Sequence, residues 1–304
     1  MANKKMIVTG GAGFIGSHIV DALVERGDEV HVVDNFAAGK MEDRLNPKAT
    51  YHEVDIREYE KLAPIVKGAS YVFHEAALPR VQFSIDHPLE SYSVNVMGTA
   101  SVLRAAHQGG VERVIYASSG SVYGDQENIP VSEDMEAKPN SPYGLQKYMG
   151  EMLCRSWSDV YGLESVCLRY FNAYGPRFNS EGAYAQAIGK FLKQRKEGAP
   201  LTIWGDGTHT RDFTHMSDVV SANLLAATSK KVGKGEEINI GTGREISVND
   251  IAQLIGGATV NEHERREITR TAADIRRAKE LLGWEPKKKF EDGIAELKKQ
   301  FGIS

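Results

Sequence analysis

Short apolar runs alternate with longer segments of helical periodicity over the first half of the chain. The apolar runs predict strands at Lys5–Thr9, Val30–Val33, Tyr51–Val54, Tyr71–His74, Arg113–Ala117 and Val166–Arg169. Apolar positions recur with the period of a helix in the segments Ile15–Arg26, Ser91–His107 and Pro142–Tyr161. Repeated β-α units require parallel pairing with right-handed crossovers. The pattern therefore predicts an α/β protein built on a doubly wound parallel sheet.

The pattern loosens after about Tyr170. Asn172–Tyr184 is rich in Gly, Pro, Asn and Ser, which predicts a loop that lines a binding site. Beyond it we predict a strand at Pro200–Trp204 and helices at Ala185–Glu197, Asp218–Thr228 and Val248–Ile255. We interpret residues 1–170 as the main domain, to which 212–243 return. Residues 171–211 and 244–304 are predicted to form a smaller α/β lobe at the C-terminal edge of the sheet, where ligands bind in such folds.

Composition narrows the classes of function. The 304 residues are 41% hydrophobic and 26% charged, with a net charge of -4. These values are ordinary for a globular protein and give no reason to expect a nucleic-acid or membrane partner. The start, Met-Ala-Asn-Lys-Lys, leads directly into the first strand and predicts no signal peptide. Cys154 and Cys167 lack a framework spacing, and the nine histidines lack a metal-ligand spacing. We expect reduced thiols, no metal and a cytoplasmic protein.

A glycine-rich turn follows the first strand and provides the first candidate chemistry. The segment Gly10-Gly11-Ala12-Gly13-Phe14-Ile15-Gly16 comes directly after Met6-Ile7-Val8-Thr9. In this pattern Gly10 allows a tight turn, Gly13 lets a pyrophosphate approach the backbone, and Gly16 allows close packing of the helix. It predicts a dinucleotide-binding, Rossmann-type fold.

Asp34 ends the next strand and bears on the choice of dinucleotide. A carboxylate there accepts hydrogen bonds from both adenosine ribose hydroxyls and repels a 2′-phosphate, which favours NAD over NADP. Lys40 and Arg44 lie nearby in sequence and keep NADP open as an alternative. A plain strand-end aspartate is the other reading of Asp34.

A tyrosine and a lysine can provide proton transfer beside the dinucleotide. Tyr143 and Lys147 are four residues apart on a predicted helix, so both project from one face. We expect the lysine ammonium and a positive nicotinamide ring to lower the pKa of Tyr143, so that it acts as a base. The strand ending at Ser118-Ser119 adds hydroxyls that can bind the reacting oxygen; we choose Ser119, ahead of Ser118 and Ser121. The alternatives are an amphipathic helix and a polar strand exit.

These motifs together resemble the extended short-chain dehydrogenases/reductases of the nucleotide-sugar epimerase type. The resemblance covers nearly the whole chain. Further matching segments are His74–Ala77, Asn95–Thr99, Leu168–Arg177, Gly205–Gly207, Thr210–Phe213, Ala273-Asp274 and Leu281–Pro286.

The resemblance implies roles for individual residues. It makes Tyr143 the base, with Lys147 on the nicotinamide ribose and Ser119 on the sugar. It implies that NAD is bound by Gly10, Gly13, Phe14, Ile15, Gly16, Asp34, Asn35, Asp55, Ile56, Ala76, Ala77, Asn95, Tyr143, Lys147 and Tyr170. It implies that a UDP-sugar is bound by Ser119, Ser121, Tyr143, Asn172, Arg211, Arg265, Arg266 and Thr271. For Arg211 an ion pair with Asp206 or Asp212 is the alternative, and whether Arg265 or Arg266 contacts phosphate stays open.

The resemblance also narrows the reaction. Dehydratases of this type carry an acidic pair after the strand-end hydroxyl, and related decarboxylases tend to keep an acid there, whereas this chain has Gly120 and Ser121. We therefore expect NAD-dependent 4-epimerisation of a UDP-hexose, UDP-glucose and UDP-galactose first. The small Thr271 at the hexose pocket predicts that UDP-GlcNAc and UDP-GalNAc are accepted too. The alternatives are a UDP-glucuronate 4-epimerase, a reductase of nucleotide sugars and a non-catalytic dinucleotide sensor. A homodimer through Ser91–His107 and Pro142–Tyr161 is implied by the resemblance alone.

Overall fold

Seven parallel strands form the central sheet of the computed structural model, which describes residues 4–178, 187–263 and 270–303. In chain order the strands are β1 Lys5–Thr9, β2 Glu29–Asp34, β3 Thr50–Glu53, β4 Tyr71–His74, β5 Arg113–Ser119, β6 Glu164–Tyr170 and, much later, β11 Lys234–Ile240. Their spatial order is β11-β6-β5-β4-β1-β2-β3. The order runs outward from β1 in both directions, so the predicted doubly wound α/β sheet is confirmed.

Helices cover both faces of this sheet. They are α1 Phe14–Glu25, α2 Tyr59–Val66, α3 Val81–Asp86, α4 Pro88–Tyr92, α5 Thr99–Gly109, α6 Pro142–Tyr161 and α8 Met216–Thr228. One buried cluster lies between the sheet and α1 and α8, and a second lies between the sheet and α2, α5 and α6. The predicted helix Ser91–His107 is more complex than expected, because a π-helical segment, Ser93–Gly98, joins α4 to α5.

The edge strand β11 is absent from the sequence prediction. Its sequence, Lys-Gly-Glu-Glu-Ile-Asn-Ile, has an apolar pattern only in its second half. A register shift between Lys234 and Glu236 marks a bulge in its pairing with β6. Glycine and paired glutamates are poor local signals for a strand. Parallel pairing with β6 at the edge of the sheet compensates for this weak local signal.

A smaller set of elements lies toward the C-terminal edge of the sheet and has its own buried cluster. It contains β8 Leu201–Trp204, paired in parallel with β13 Thr259–Glu262, together with α7 Ala187–Lys196, α9 Val248–Ile255 and α11 Phe290–Phe301. Two-residue strands connect it: β7 Ala173–Tyr174 pairs with β10 Thr214–His215, and β9 Thr210–Arg211 pairs with β12 Ile246–Ser247. The remaining helix, α10 Arg276–Leu282, and Trp284 pack instead against the main cluster.

A buried ion pair fixes α6 against the sheet. Arg169 on β6 donates to both carboxylate oxygens of Glu151 on α6, at 2.8 and 2.7 Å, and Ser118 on β5 donates to the same carboxylate at 2.5 Å. Arg169 and Glu151 are almost completely buried. Because an unpaired charge at this depth is costly, the network strongly restricts how α6 can sit on β5 and β6.

Among the described helices, none is both long and apolar enough to cross a bilayer.

Candidate active site

Two glycines of the turn between β1 and α1 are packed too closely to be replaced by a residue with a side chain. Gly10 has a φ of +68°, and a Cβ there would lie 2.6 Å from the backbone nitrogen of Ala76. A Cβ at Gly16 would lie 2.3 Å from the carbonyl oxygen of Gly10. Gly13, at the start of α1, brings no side chain to cap the helix. The first amides of α1 are therefore oriented for an anion such as a pyrophosphate, and the turn fits a dinucleotide.

Asp34 is fixed at the end of β2 beside this turn. Its carboxylate accepts hydrogen bonds from the backbone N–H groups of Ala12, at 3.0 Å, and Phe36, at 2.8 Å. Burial raises the pKa of Asp34, while the two hydrogen bonds lower it. Each carboxylate oxygen keeps a further lone pair, so the group is available to ribose hydroxyls. Asn35 follows it and donates from Nδ2 to Asp55 at 3.0 Å.

Three of the residues assigned to NAD by resemblance have protein partners for their side chains. Asp55, which is partly exposed, accepts hydrogen bonds from Arg57, and the guanidinium of Arg57 lowers the pKa of Asp55 to about 2. Ile56 is buried close against Gly98. Asn95 exchanges two hydrogen bonds with the backbone of Leu78 and donates to Gln146 at 2.7 Å.

A neutral histidine ties the glycine turn to the helix behind β4. His74 Nδ1 lies 2.7 Å from the hydroxyl of Thr9, and Nε2 lies 3.0 Å from the hydroxyl of Thr99. Thr99 gives its own proton to the carbonyl of Asn95, so Nε2 must donate and Nδ1 must accept. Burial lowers the pKa of His74 to about 3, which keeps the ring neutral. The segment containing Ala76 and Ala77 follows directly.

The candidate catalytic groups meet where α6 begins. Ser141 caps the helix, its hydroxyl accepting the N–H of Gly144 at 3.1 Å, and Pro142 occupies the first turn. A Cβ at Gly144 would lie only 2.6 Å from the carbonyl oxygen of Ser121, so α6 approaches the end of β5 very closely. This approach brings the side chain of Tyr143 near that of Ser119, which lowers the pKa of Tyr143. Ser119 in turn is held by the N–H and hydroxyl of Ser121, both at 3.1 Å.

The protonation of Tyr143 and Lys147 is dominated by burial. Lys147 donates from Nζ to the carbonyl of Ala117 at 2.8 Å, and burial lowers its pKa to about 8. Burial and the charge of Glu75 raise the pKa of Tyr143 to about 12, while Ser119 lowers it. The predicted fall in the Tyr143 pKa depends also on the positive nicotinamide ring of NAD, so it stays a prediction for the NAD-bound protein.

A glutamate, a tyrosine and an asparagine form a hydrogen-bonded cluster near the ends of β4 and β6. Tyr170, at the end of β6, donates to Glu75 at 2.9 Å and accepts a hydrogen bond from Asn223 at 2.8 Å. Burial raises the pKa of Glu75 to about 7. Tyr170 is among the residues predicted from the sequence, whereas Glu75 and Asn223 are not. The position of Glu75 directly after a buried strand is the signal that could have found it.

Asp212 organises the substrate side of the site. Its carboxylate accepts hydrogen bonds from Thr242, Gly243 and Ala273, and it is fully buried. Its carbonyl accepts the amide of Asn172 at 2.9 Å, and its N–H donates to the hydroxyl of Thr271 at 3.4 Å. The predicted substrate residues Asn172 and Thr271 are therefore joined through one aspartate.

Arg211 directly precedes Asp212, and its guanidinium donates to the carbonyl of Thr210 at 2.9 Å. Arg265 and Arg266 lie outside the described residues. Within the described ranges, no group of three or more His, Cys, Asp or Glu side chains is arranged to hold a metal ion.

Comparison with known proteins agrees with this arrangement. The profile of the NAD dependent epimerase/dehydratase family matches residues 6–241. The chain belongs to this family. It is therefore an enzyme of an NAD-dependent family, and its glycine turn, Asp34 and Lys147 are suitable groups to hold NAD.

Relatives within the family differ in the reaction that their names describe. A UDP-glucose 4-epimerase of Thermotoga maritima, solved with UDP-glucose, has a TM-score of 0.92 and 37% identity over 98% of both chains. A UDP-N-acetylglucosamine 4-epimerase of Methanobrevibacter ruminantium has a TM-score of 0.93 and 35% identity over 99% of both. A UDP-N-acetyl-alpha-D-glucosaminuronate decarboxylase of Bacillus cytotoxicus is 35% identical over 96% of both. Family membership alone does not select the sugar.

Proposed function

We propose that this protein interconverts the C4 epimers of a UDP-hexose. The observation that carries the proposal is the close approach of α6 to the end of β5, which brings Tyr143 near Ser119, with Gly120 and Ser121 following Ser119 rather than an acidic pair. Such an epimerase must remove the proton of the C4 hydroxyl and the hydride of C4 itself, and then return both. It requires no further acid or base at the neighbouring carbons.

The proposed roles follow from the positions of the side chains. Tyr143 takes the proton of the C4 hydroxyl and gives it back after the keto sugar has presented its other face. Ser119 donates a hydrogen bond to the same oxygen and steadies the developing charge. Lys147 holds the nicotinamide ribose, and its ammonium favours the phenolate of Tyr143. Bound NAD supplies the hydride acceptor and donor, so the reaction consumes no external oxidant.

Elimination or decarboxylation would require a different site. Both change bonds at C5 or C6 and benefit from a carboxyl group next to the strand-end hydroxyl. The first side chain that follows Ser119 is that of Ser121, and it is hydrogen-bonded to Ser119. We therefore favour epimerisation over the reaction named for the Bacillus cytotoxicus relative.

Purified protein without added cofactor should be given UDP-glucose, UDP-galactose, their N-acetyl forms and UDP-glucuronate, with the products read by NMR. We expect UDP-galactose from UDP-glucose. A product from UDP-glucuronate alone would support the UDP-glucuronate 4-epimerase or the decarboxylase instead. A strict requirement for added NADH or NADPH would indicate a reductase.

We propose that Thr271 admits N-acetylated sugars. Its side chain is small and accepts a hydrogen bond from Asp212, which also holds Asn172. A bulky aromatic residue at this place would occupy the space of an N-acetyl group. Thr271→Tyr should lose activity on UDP-GlcNAc and keep activity on UDP-glucose, while Thr271→Ser should keep both. A native protein that leaves UDP-GlcNAc untouched would contradict this role.

We propose a homodimer formed through the outer faces of α4, α6 and the π-helical segment. Large apolar side chains there are exposed: Leu89 is 85% accessible, Met97 65% and Met152 57%. Exposed apolar side chains on neighbouring helices favour burial against a second copy. Light scattering should give twice the chain mass, and Met97→Glu combined with Met152→Glu should give the monomer. A native monomer would overturn the proposal.

A further inference from the structure

Glu75 occupies a position in the cleft that the proposed mechanism does not use. It follows β4 directly, and a Cβ at Gly10 would lie 2.9 Å from its carbonyl carbon. It therefore borders the glycine turn. Its carboxyl group accepts a hydrogen bond from Tyr170 at 2.9 Å, and Tyr170 pairs with Ser119 at the ends of β6 and β5. The charge of Glu75 also raises the pKa of Tyr143 and of Lys147. A dinucleotide held at the glycine turn and directed toward Ser119 and Tyr143 would pass Glu75.

Hydrogen bonds hold the carboxyl group in place from the far side. Asn223 on α8 donates one N–H to the carbonyl of Val219 and the other to the oxygen of Tyr170. The single proton of Tyr170 has two acceptors within reach, Glu75 at 2.9 Å and the amide oxygen of Asn223 at 3.1 Å, and the contact with the carboxylate is the shorter. Asn223 is fully buried and Tyr170 nearly so, whereas Glu75 keeps part of its surface accessible. The carboxyl group is therefore held in place from its buried side.

The ionisable groups around Glu75 can be named. Lys147 and Tyr143 face it from α6, and Tyr170 faces it from β6. His74 precedes it but is held neutral between Thr9 and Thr99. Burial raises the pKa of Glu75 to about 7, while Tyr170 and Lys147 lower it. The group is thus able to change its charge near neutral pH.

We propose that the charge of Glu75 sets the balance between bound NAD+ and bound NADH. An ionised carboxylate beside the nicotinamide end stabilises the positive ring of NAD+ and gives no such stabilisation to the neutral ring of NADH. Protonation of Glu75 removes that preference. No new covalent bond is involved; the carboxyl group only gains or loses a proton. The inference rests on NAD binding and is independent of which sugar is the substrate.

The test compares the native protein with Glu75→Gln, which keeps an acceptor for Tyr170 and removes the charge. The purified full-length proteins are equilibrated with defined mixtures of NAD+ and NADH at pH 6 and pH 8. The bound ratio is read from NADH fluorescence and from chromatography of the released nucleotides. If NAD+ lowers the carboxyl pKa by about one unit relative to NADH, centred near 7, the preference of the native protein for NAD+ should rise about sixfold from pH 6 to pH 8.

Glu75→Gln should bind less NAD+ relative to NADH at pH 8 and should lose most of this pH dependence. Lys147 also titrates near pH 8, and any dependence that remains in Glu75→Gln belongs to it. Tyr170→Phe provides a second reading, because losing its hydrogen bond raises the Glu75 pKa and should move the midpoint to higher pH. Equal ratios and equal pH dependence in the native protein and Glu75→Gln, or an unmoved midpoint in Tyr170→Phe, would overturn the proposal. No sugar is present, so the result does not depend on epimerase activity.

Discussion

Replacing Gly144 by alanine tests whether the close approach of α6 to the end of β5 sets the catalytic geometry. The added Cβ would lie 2.6 Å from the carbonyl oxygen of Ser121 and 3.2 Å from the Cβ of Pro139. Cβ atoms essentially never approach closer than 3.0 Å, so the start of α6 must move away by roughly half an ångström or more. Tyr143 is the preceding residue and moves with it, away from Ser119.

The expected losses can be scaled from the size of that movement. Overpacking costs about 1–3 kcal/mol, offset by about 1 kcal/mol from the better helix propensity of alanine. The unfolding free energy should therefore fall by about 0–2 kcal/mol. A displacement of about 1 Å at a reacting group costs about 100-fold in rate, so kcat should fall by about 10- to 100-fold. The KM for the UDP-sugar should change little, since Gly144 lies at the proton-transfer end of the site.

Gly293→Ala is the matched control. A Cβ there would lie 2.3 Å from the hydroxyl of Tyr174, a comparable overpacking on α11 away from Tyr143. Urea unfolding and initial rates of epimerisation should be measured on both variants. We expect a similar loss of stability, with kcat reduced only in Gly144→Ala. If Gly144→Ala keeps kcat within about twofold of the native protein, the Tyr143–Ser119 geometry does not control the rate.

Three further changes test other parts of the account. The pKa of Lys147 is lowered to about 8 from an ordinary 10.5, so between these pH values the unfolded chain holds a proton that the native state has released. The unfolding free energy contributed by Lys147 should therefore rise by about 3 kcal/mol as the pH rises through that window. Urea unfolding at pH 7 and pH 10 should show this rise for the native protein relative to Lys147→Met, and the same stability difference between the two proteins at both pH values would refute it. Arg169→Met should lower the free energy of unfolding in urea by about 3–5 kcal/mol, because it leaves the buried carboxylate of Glu151 without its ion-pair partner. The double variant Arg169→Met with Glu151→Leu should recover most of that stability, and no recovery would show that the charge of Glu151 is not the cause. Asp34→Asn should weaken NAD+ binding by about tenfold or more, because it removes charge-assisted hydrogen bonds to the ribose. An unchanged Kd measured by calorimetry would argue against a ribose contact.

The strands and helices that the sequence predicts best are those buried in the main sheet. Tyr71–His74 and Pro142–Tyr161 are predicted with their observed bounds, because a strand buried on both faces and a long capped helix have strong local signals. The strand Lys234–Ile240 and the pairing of Thr259–Glu262 with Leu201–Trp204 are not predicted. Their polar sequences become strands only through neighbours that are distant along the chain.

The site shows the same division between local and distant information. Because parallel strands end at one edge, Asp34, Ser119 and Tyr170 could be grouped from the sequence alone. The hydrogen bond between Tyr170 and Glu75 joins residues that are 95 positions apart, and no sequence spacing predicts it. Nor does a sequence reveal which way a side chain turns, and Asn95 and Ile56 turn into the protein. The assignments of individual residues to NAD and to the sugar stay predictions.

The central claim is that Tyr143 moves a proton while the configuration of a UDP-hexose is inverted. Its most direct test is to incubate the purified protein with UDP-glucose, without added cofactor, and follow the sugar signals by NMR. We predict conversion to UDP-galactose until equilibrium, and a rate about 100- to 10,000-fold lower for Tyr143→Phe. Equal rates for the two proteins, or a dehydrated or reduced product in place of UDP-galactose, would contradict the account.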